Sequence, residues 1–363
     1  MTPTHSGVGP NSRSSPDGRS GAVTILELAE VVAAATVVRV PLRVPFRGVT
    51  SRIGVVFQGP AGWGEFAPFP EYLPTEASRW LDAGIEAAFV GWPPPLRREV
   101  GVNAIIPALE PDDAAVLAVQ ARADGSRTVK VKVAEPGGSL ERDADRVAAV
   151  RAGFGDGAIR IDANGAWTPA EAIEAVRRLD RVAGGLQYVE QPCADLAGLA
   201  AVRRAVAVPV AADESIRRAE DPLLAVRSAA VDLVVVKCPP LGGVRRALAV
   251  IAEAGVPAVV SSALDTGVGL AAGVALAAAM PDVAYDAGLG TGRLLADDLV
   301  VPAMVPLHGR LPVRATAPDR DALQRAAARV TTAERQEWID RLGAAWGAGT
   351  ARRLPRLLAD SHV

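Results

Sequence analysis

Short apolar runs alternate with longer amphipathic stretches along most of this chain of 363 residues. The short runs predict β-strands and the amphipathic stretches predict α-helices, because side chains repeat with periods of about 2 and 3.6 residues in the two elements. Strands that alternate regularly with helices form parallel sheets. The predicted strands are Val102–Ile106, Thr128–Val133, Ile159–Asp162, Leu186–Glu190, Val208–Ala212, Leu233–Lys237, Ala258–Ser261 and Val283–Tyr285.

The repeat of strand and helix continues over about 190 residues, which is typical of a TIM-like barrel rather than an open sheet. We therefore predict an α/β fold with a barrel over residues 101–300. The predicted helices of the barrel include Leu140–Val150, Pro169–Leu179, Leu196–Val206, Val244–Ala254 and Gly269–Met280.

The residues on either side of the barrel follow other patterns. Residues 23–100 mix helical and extended stretches and predict a small α+β domain, whereas residues 301–363 predict helices that pack back on this domain or on the barrel. Residues 1–22 are rich in Gly, Ser and Pro and predict a disordered tail without a signal peptide. The predicted elements of the α+β domain are a helix at Leu26–Ala35, strands at Thr36–Val44 and Ile53–Phe57, a loop at Gly62–Pro70 and a helix at Thr75–Phe89.

The composition argues against several classes of function. A formal net charge of -2 creates no field that would attract nucleic acid or an anionic membrane. The longest apolar stretch, Val268–Met280, is too short to span a bilayer. Two cysteines, Cys193 and Cys238, predict no disulfide framework and favour a reduced, cytoplasmic compartment. The three histidines suggest neither a base nor a metal site, and we expect a monomeric globular protein.

Lysine occurs at only three positions, Lys130, Lys132 and Lys237, while Arg supplies nearly all the other positive charges. Unlike the guanidinium of Arg, a Lys ammonium loses its proton when burial or neighbouring charge favours the neutral amine. Lys130 and Lys132 alternate with valines within one predicted strand, which directs both amines to one face. Lysines that protect an edge strand give the same pattern, but the scarcity of Lys elsewhere favours a chemical role.

Charged side chains end successive predicted strands on the side where a barrel carries its active site. Lys130 and Lys132 lie at the end of the second strand, and Lys237 ends the sixth. A single carboxylate at such a position would fit a helix cap or a salt bridge, but three on consecutive strands between lysines indicate one shared site. The three carboxylates belong to Asp162, Glu190 and Asp213.

Three carboxylates without His or Cys form an all-oxygen site of the kind that holds Mg²⁺, with Mn²⁺ as a substitute. A dication there would stabilise the charge that develops when a proton leaves the carbon next to a substrate carboxylate. The base must be neutral before it acts, and the charges of Lys130, Lys237 and the metal would favour the neutral amine of Lys132. Lys237 would be a second acid or base, or a fixed cation, unless its role is structural.

These motifs resemble those of the enolase superfamily, within its muconate-lactonizing subgroup. The resemblance extends over the chain apart from the N-terminal tail, and it implies a modified (β/α)7β barrel with an α+β capping domain. The matching motifs are Lys130-Val131-Lys132, Asp162-Ala163-Asn164, Glu190-Gln191-Pro192, Asp213-Glu214-Ser215 and Lys237.

Further runs are similar to the branch of this subgroup that dehydrates 2-succinyl-6-hydroxy-2,4-cyclohexadiene-1-carboxylate to 2-succinylbenzoate in menaquinone biosynthesis. The resemblance therefore implies a hydro-lyase whose substrate is a small carboxylate. These runs are Pro45–Thr50, Gly62–Phe66, Lys130–Gly137, Tyr188–Cys193, Ser261–Asp265 and Gly288–Gly292.

The resemblance also implies a role for each matching residue. Lys132 would take the ring proton and return it to the departing hydroxide, Lys130 would keep Lys132 poised, and Lys237 would be a cation–π partner on the opposite face. Mg²⁺ would be held by Asp162, Glu190 and Asp213. Support for metal or substrate would come from Arg160, Asn164, Ser262, Gly288 and Gly290.

Two capping loops, Arg43–Arg52 and Gly62–Tyr72, would close over the substrate. Three aromatic side chains of these loops would either exclude water from the site or pack between the domains: Phe66, Phe69 and Tyr72.

Several alternatives stay open at this point. An N-succinylamino acid racemase of the same superfamily would use Lys132 and Lys237 as two bases on opposite faces. A dipeptide epimerase fits less well, because no Asp-x-Asp follows the last predicted strand. A Schiff-base aldolase would use Lys237 as nucleophile, and a barrel that only binds ligand would show no turnover.

Overall fold

The computed structural model describes residue 1 and residues 26–46, 48–218 and 221–359. The strands are β1 Ala35–Phe46, β2 Val49–Gly59, β3 Gly62–Phe66, β4 Glu99–Gly101, β5 Ala104–Ile106, β6 Thr128–Lys132, β7 Ala158–Asp162, β8 Val189–Glu190, β9 Val210–Ala212, β10 Leu233–Val236, β11 Ala258–Val260 and β12 Arg310–Pro312. The predicted tail, residues 1–22, lies outside the described residues apart from Met1, and Arg47 of the first capping loop is also outside them.

The helices are α1 Leu28–Ala33, α2 Pro74–Ile85, α3 Pro111–Ala123, α4 Leu140–Phe154, α5 Pro169–Ala183, α6 Leu196–Ala205, α7 Glu214–Arg217, α8 Leu224–Arg227, α9 Cys238–Leu241, α10 Val244–Ala254, α11 Gly267–Ala279, α12 Arg320–Ala328, α13 Thr332–Ala345 and α14 Ala351–Ala359. Two π-helical turns, Glu86–Val90 and Trp346–Thr350, extend α2 and α13. None of the helices in the described ranges is long and apolar enough to cross a membrane.

The strands β5 to β11 form one parallel sheet in chain order, with helices between successive strands. A short segment, residues 287 and 288, bonds to the backbone at both edges of this sheet and closes it into a barrel. The amide of Ala287 donates to the carbonyl of Gly101 (2.8 Å), and the amide of Gly288 donates to the carbonyl of Val260 (2.7 Å). The predicted class of fold, a modified (β/α)7β barrel with an α+β capping domain, is therefore confirmed.

The last predicted strand, Val283–Tyr285, is wrong. No strand forms there, and the closing contacts are isolated bridges at Ala287 and Gly288. The physical reason is that the barrel is closed by backbone hydrogen bonds, and these need the backbone at Gly288 to lie close to Ser261. A Cβ atom at Gly288 would lie 2.8 Å from Ser261 Oγ, so the apolar side chains that mark a strand in the sequence are absent from this position.

The barrel helices follow their sequence signals closely. For example, α5 begins after Thr168, whose hydroxyl accepts from the amide of Glu171 while the Glu171 carboxylate accepts from the amide of Thr168. It ends at Gly184, which has a left-handed φ of 65°. Its apolar residues recur on the face that packs against the barrel: Ala172, Ala175, Val176, Leu179 and Ala183.

The position of β6 excludes one alternative for the lysines. This strand is hydrogen-bonded to β5 on one side and to β7 on the other, so it is an interior strand. Lys130 and Lys132 therefore do not protect a sheet edge. Both side chains lie inside the barrel, at 8% and 4% exposure.

The cap contains the antiparallel sheet β1–β2–β3, packed against α2. The loop predicted at Gly62–Pro70 is wrong in its first half, because Gly62–Phe66 is β3 and pairs with β2. Its glycines hid the strand pattern and are needed for close packing on α2. A Cβ atom at Gly64 would lie 2.1 Å from the carbonyl oxygen of Gly84.

Three hydrophobic clusters are present among the described residues. The largest is built mainly from barrel strands and helices, and a small one contains Tyr188 together with alternate residues of the barrel strands. The remaining cluster is the core of the cap and takes side chains from the C-terminal helices, including Trp338 and Leu342 of α13 and Leu354 of α14. Ala263 and Leu264, which follow the barrel strand β11, also belong to the core of the cap. The cap thus packs on the end of the barrel where the strands terminate, while the predicted domain boundaries stay predictions.

Candidate active site

Buried charges of both signs meet at the carboxyl ends of β6, β7 and β8. The amine of Lys130 donates to Asp162 Oδ2 (3.1 Å) and to both carboxylate oxygens of Glu190 (3.0 Å each). The amine of Lys132 donates to the same Asp162 Oδ2 (2.5 Å) and to Asn164 Oδ1 (2.6 Å). Because parallel strands carry these residues in register, the sequence motifs become one network.

A second group of charges lies across the barrel, at the ends of β9 and β10. The amine of Lys237 donates to Asp213 Oδ2 (2.6 Å), and the guanidinium of Arg217 lies 3.4 Å from Asp213 Oδ1. Arg217 also donates to Glu214 Oε1 (2.7 Å) and to the hydroxyl of Tyr72 in the cap. Asp213 is thereby held between two cations.

The backbone of Asp213 is positioned by a neighbouring side chain. Gln191 Oε1 accepts from the amides of Asp213 (2.9 Å) and Ser215 (3.3 Å). Its amide nitrogen donates to the Cys193 carbonyl (2.9 Å) and to Ser215 Oγ (2.8 Å). This fully buried residue connects the ends of β8 and β9 and fixes the distance between their carboxylates.

Burial dominates the electrostatics of this end of the barrel. It raises the pKa of Glu190 to about 7, with a further contribution from the charge of Asp162 and against the attraction of Lys130. Burial alone would lower the pKa of Lys130, but Glu190 and Asp162 outweigh it and raise that pKa above the ordinary value for lysine. Lys130 is therefore a buried cation that two carboxylates share.

A small cavity lies between the two groups of charges. Its volume is about 30 Å³, enough for a water molecule or two but not for an organic substrate. Substrate entry therefore requires side chains or backbone around the cavity to move. The cavity is lined by Phe69, Ile105, Lys130, Lys132, Asp162, Asp213, Lys237, Ser261, Ser262, Ala263, Leu264, Gly288 and Thr291.

Most of the predicted site residues meet at this cavity. Ser262 and Gly288 line it, and Ser262 Oγ lies 2.7 Å from Thr291 Oγ1. Asn164 contacts Lys132, as described, and donates to Glu214 Oε1 (3.3 Å). Glu190 does not line the cavity itself but contacts Lys130 directly behind it.

Other predicted residues lie elsewhere. Arg160 is fully buried within the barrel, where it donates to Asn103, Gln187 and the carbonyl of Asp286 and stacks on Tyr188, 4.7 Å from the ring centre. Gly290 lines a different cavity. Neither residue lines the cavity between the lysines, so their predicted substrate contacts have no support in the geometry.

The cap aromatics divide between the two predicted roles. Phe69 lines the cavity and stacks on Tyr72, with 6.4 Å between ring centres. Tyr72 bonds to Arg217 next to the cavity. Phe66 is buried in the core of the cap against Trp338 and has a packing role.

Sequence reasoning missed several residues of this site. Ile105 and Thr291 line the cavity, and Arg217 holds Asp213 and Tyr72 together. Thr291 lies within the glycine-rich run Gly288–Gly292. Arg217 is close in sequence to Asp213 and Glu214, but its contact with Tyr72 joins residues 145 positions apart and leaves no local signal.

Two family models match this chain, and both belong to the enolase class of proteins. Residues 37–88 match the family model described as Enolase N-terminal domain-like, and residues 113–320, more than half of the chain, match the one described as Enolase C-terminal domain-like. Solved structures agree in fold. They include the L-Ala-D/L-Glu epimerase from Bacillus subtilis (TM-score 0.67, 22% identity, 78% of this chain and 96% of that chain) and a muconate lactonizing enzyme from Pseudomonas fluorescens (TM-score 0.66, 19% identity, 80% and 97%).

Curated relatives are much closer in sequence. The o-succinylbenzoate synthase of Thermobifida fusca is 55% identical over 276 residues, which cover 76% of this chain and 86% of that protein. The o-succinylbenzoate synthase of Mycobacterium leprae is 51% identical over 316 residues, which cover 87% and 92%. The chain belongs to the o-succinylbenzoate synthase family of the enolase superfamily.

Members of the enolase superfamily generally bind Mg²⁺, and the donor set here fits that ion in type. Asp162, Glu190 and Asp213 are hard oxygen donors, each 1% exposed, at the ends of consecutive strands. Among the described residues no acidic group of three is arranged to hold a metal ion as it stands. Lysine ammonium groups bond to these carboxylates, so a bound dication would share their oxygens with the amines.

Replacing Lys130 tests the charge balance of the site. In metal-free protein, Lys130→Met should lower the free energy of unfolding by about 3–5 kcal/mol, because it leaves Asp162 and Glu190 buried without their shared cation. Urea unfolding in the presence of a chelator measures this loss.

Two controls accompany this measurement. Arg310→Met removes an exposed ion pair with Glu99 and should cost less than about 1 kcal/mol. Lys130→Met combined with Glu190→Met should lose less stability than the single Lys130 variant, because one of the uncompensated charges is gone. Equal losses for the single variants of Lys130 and Arg310 would contradict the proposed balance.

Proposed function

We propose that this protein removes water from 2-succinyl-6-hydroxy-2,4-cyclohexadiene-1-carboxylate to form 2-succinylbenzoate, the o-succinylbenzoate synthase reaction of menaquinone biosynthesis. The observation that carries the proposal is the pair of amines, Lys132 and Lys237, on one cavity with the carboxylates Asp162 and Asp213. The names of relatives about half identical to this chain support it. The substrate is a small molecule. That the enzyme is monomeric and cytoplasmic stays a prediction.

Lys132 is the proposed base. Its amine removes the proton from the ring carbon next to the substrate carboxylate, and the resulting ammonium returns that proton to the hydroxide that leaves the neighbouring ring carbon on the same face. One C–H bond and one C–O bond break, water departs, and the ring becomes aromatic. Asp162 and Asn164, which accept hydrogen bonds from the amine, hold Lys132 in the orientation that this transfer needs.

Other residues stabilise the charge that develops on the substrate. When bound, Mg²⁺ would be held by Asp162, Glu190 and Asp213, with Mn²⁺ as a substitute, and would supply Lewis-acid stabilisation to the substrate carboxylate. Lys237 presents a fixed positive charge from the opposite side. Ser262 and the backbone at Gly288 are proposed to contact the succinyl part of the substrate, since both line the cavity.

A second candidate is an N-succinylamino acid racemase of the same superfamily. Racemisation needs two bases on opposite faces of one carbon. Lys132 on β6 and Lys237 at the end of β10 belong to strands that are not neighbours in the sheet and line the same cavity, which favours this candidate. The two activities make different demands on Lys237, which is a cation in dehydration and a base in racemisation.

Removing the proposed base should abolish dehydration. We expect Lys132→Ala to lose at least about 10⁴-fold in kcat, because general base catalysis and alignment are lost together, while Mg²⁺ binding measured by calorimetry stays within about threefold of the unmodified protein. Conversion of the cyclohexadiene acid is followed by the absorbance of the aromatic product. Appreciable turnover by folded Lys132→Ala would refute its role as base.

Removing a proposed metal ligand should abolish both metal binding and activity. Asp213→Asn keeps the shape of the side chain but removes the negative charge, so Mg²⁺ affinity should fall by at least about 10-fold and dehydration should fall with it. The unmodified enzyme should be inactive with EDTA and recover with Mg²⁺ or Mn²⁺. Full activity of either protein in chelator would mean that the mechanism needs no metal.

The charge and the basicity of Lys237 can be separated. Lys237→Arg keeps a cation that cannot act as a base, and Lys237→Met removes the cation. For dehydration we expect Lys237→Met to lose at least about 30-fold in kcat, as suits a desolvated cation–π contact worth about 2 kcal/mol, and Lys237→Arg to retain more activity. Racemisation of N-succinylphenylglycine by the unmodified enzyme, abolished in both variants, would favour the second candidate.

A further inference from the structure

One wall of the cavity is a loop that follows β11, namely Ser261–Thr266, and a side chain of the cap holds its middle. Arg52 of β2 donates from Nε to the carbonyl of Leu264 (3.1 Å) and from Nη2 to the carbonyl of Ala67. Its guanidinium lies 4.2 Å from the centre of the Phe69 ring, another wall of the cavity. Arg52 is 4% exposed, so it connects two walls of the cavity from behind.

A second cap side chain holds the end of this loop. Glu65 of β3 accepts from the amide of Thr266 (3.2 Å), from its hydroxyl, and from the amide of Gly269 (3.1 Å). These groups form the start of α11, a buried apolar helix whose first amides have no partners within the helix. A Cβ atom at Gly269 would lie 2.9 Å from Glu65 Cδ, so the carboxylate packs directly against the backbone of α11.

The held loop has a backbone that does not form readily by itself. Leu264 has a φ of 62°, in the left-handed region that residues other than glycine rarely adopt. Such a conformation persists only where the surroundings enforce it. Arg52 bonds to the carbonyl of this residue, and the carboxylate of Asp265 accepts from the amide of Ala263 (2.9 Å). Leu264 and Ala263 line the cavity and pack into the core of the cap.

We propose that Arg52 and Glu65 are positioning residues of the active site, which hold the loop Ser261–Thr266 from the cap in the shape that forms one wall of the substrate cavity. This inference rests on the proposed function for its kinetic consequence. The loop carries neither the base nor the carboxylates of the site, which come from β6 to β9. Loosening the loop therefore weakens substrate binding and leaves the proton transfer largely intact, so KM rises while kcat changes little.

The cap offers a matched control for this proposal. Glu86 is also a buried carboxylate of the cap, and it accepts from the amides of Val244 and Arg245 at the start of α10. It resembles Glu65 in chemistry and burial, but no residue between Cys238 and Arg245 lines the cavity. A general loosening of cap and barrel would appear in variants of both residues, whereas a positioning role appears only for Glu65.

The experiment compares Glu65→Gln, Glu65→Ala and Glu86→Gln. We expect the KM for the cyclohexadiene acid to rise about tenfold in Glu65→Gln and further in Glu65→Ala, with kcat within about threefold, because Gln keeps one accepting oxygen and Ala keeps none. Glu86→Gln should keep KM within about twofold. Hydrogen exchange followed by mass spectrometry should show faster exchange over residues 261–270 in the Glu65 variants alone.

A second variant keeps the test decisive if the Glu65 variants fail to fold. Arg52→Lys keeps the charge but removes the planar guanidinium whose Nε and Nη2 reach the carbonyls of Leu264 and Ala67 from two fixed positions, so it should raise KM and exchange over residues 261–270 in the same way. Equal KM increases in the Glu65 and Glu86 variants would overturn the proposal, as would unchanged exchange over residues 261–270 in Arg52→Lys. If the unmodified protein does not convert the acid, the proposed function fails, and the exchange measurements still decide the role of Arg52 and Glu65.

Discussion

Buried carboxylates need positive partners, and this requirement determines the whole catalytic end of the barrel. Asp162, Glu190 and Asp213 are almost inaccessible to solvent, where an uncompensated negative charge would be costly. Lys130 and Lys237 supply much of the compensation: Lys130 lies on β6, and Lys237 directly follows β10. The sheet register aligns Lys132, Asp162 and Glu190, whereas Asp213 and Lys237 lie just beyond the ends of β9 and β10. The fold itself thus sets where these charges lie, which is the kind of preorganisation that electrostatic catalysis uses, while side chains or backbone around the small cavity still have to move to admit substrate.

The proposed metal and the proposed base would share one carboxylate oxygen. Asp162 Oδ2 accepts from both Lys130 and Lys132, so a dication held by Asp162 would compete with these amines for the same oxygen. Under the proposed mechanism, metal binding and the orientation of Lys132 would therefore be linked through Asp162.

The sequence predicted the parts of the structure that leave a local pattern. The barrel strands and helices, and the residues at the strand ends, follow from periodicity and from the rule that parallel strands end on one side. The closing segment at Gly288 was predicted at the wrong residues, and the strand β3 was predicted as a loop. In both places glycines allow a close backbone approach and interrupt the apolar alternation that marks a strand. The roles of Arg217 and Glu65 could not be predicted from the sequence. Each residue bonds to a partner from a distant part of the chain, Tyr72 for Arg217 and Thr266 for Glu65.

The scarcity of lysine has a practical consequence for handling the protein. All three lysine side chains lie within the catalytic end of the barrel, and none is more than 8% exposed. Reagents that acylate amines, and proteases that cut after lysine, would find no lysine on the folded surface. Modification of lysine in the intact protein would therefore report the opening of its interior, and surface attachment would have to use another kind of side chain.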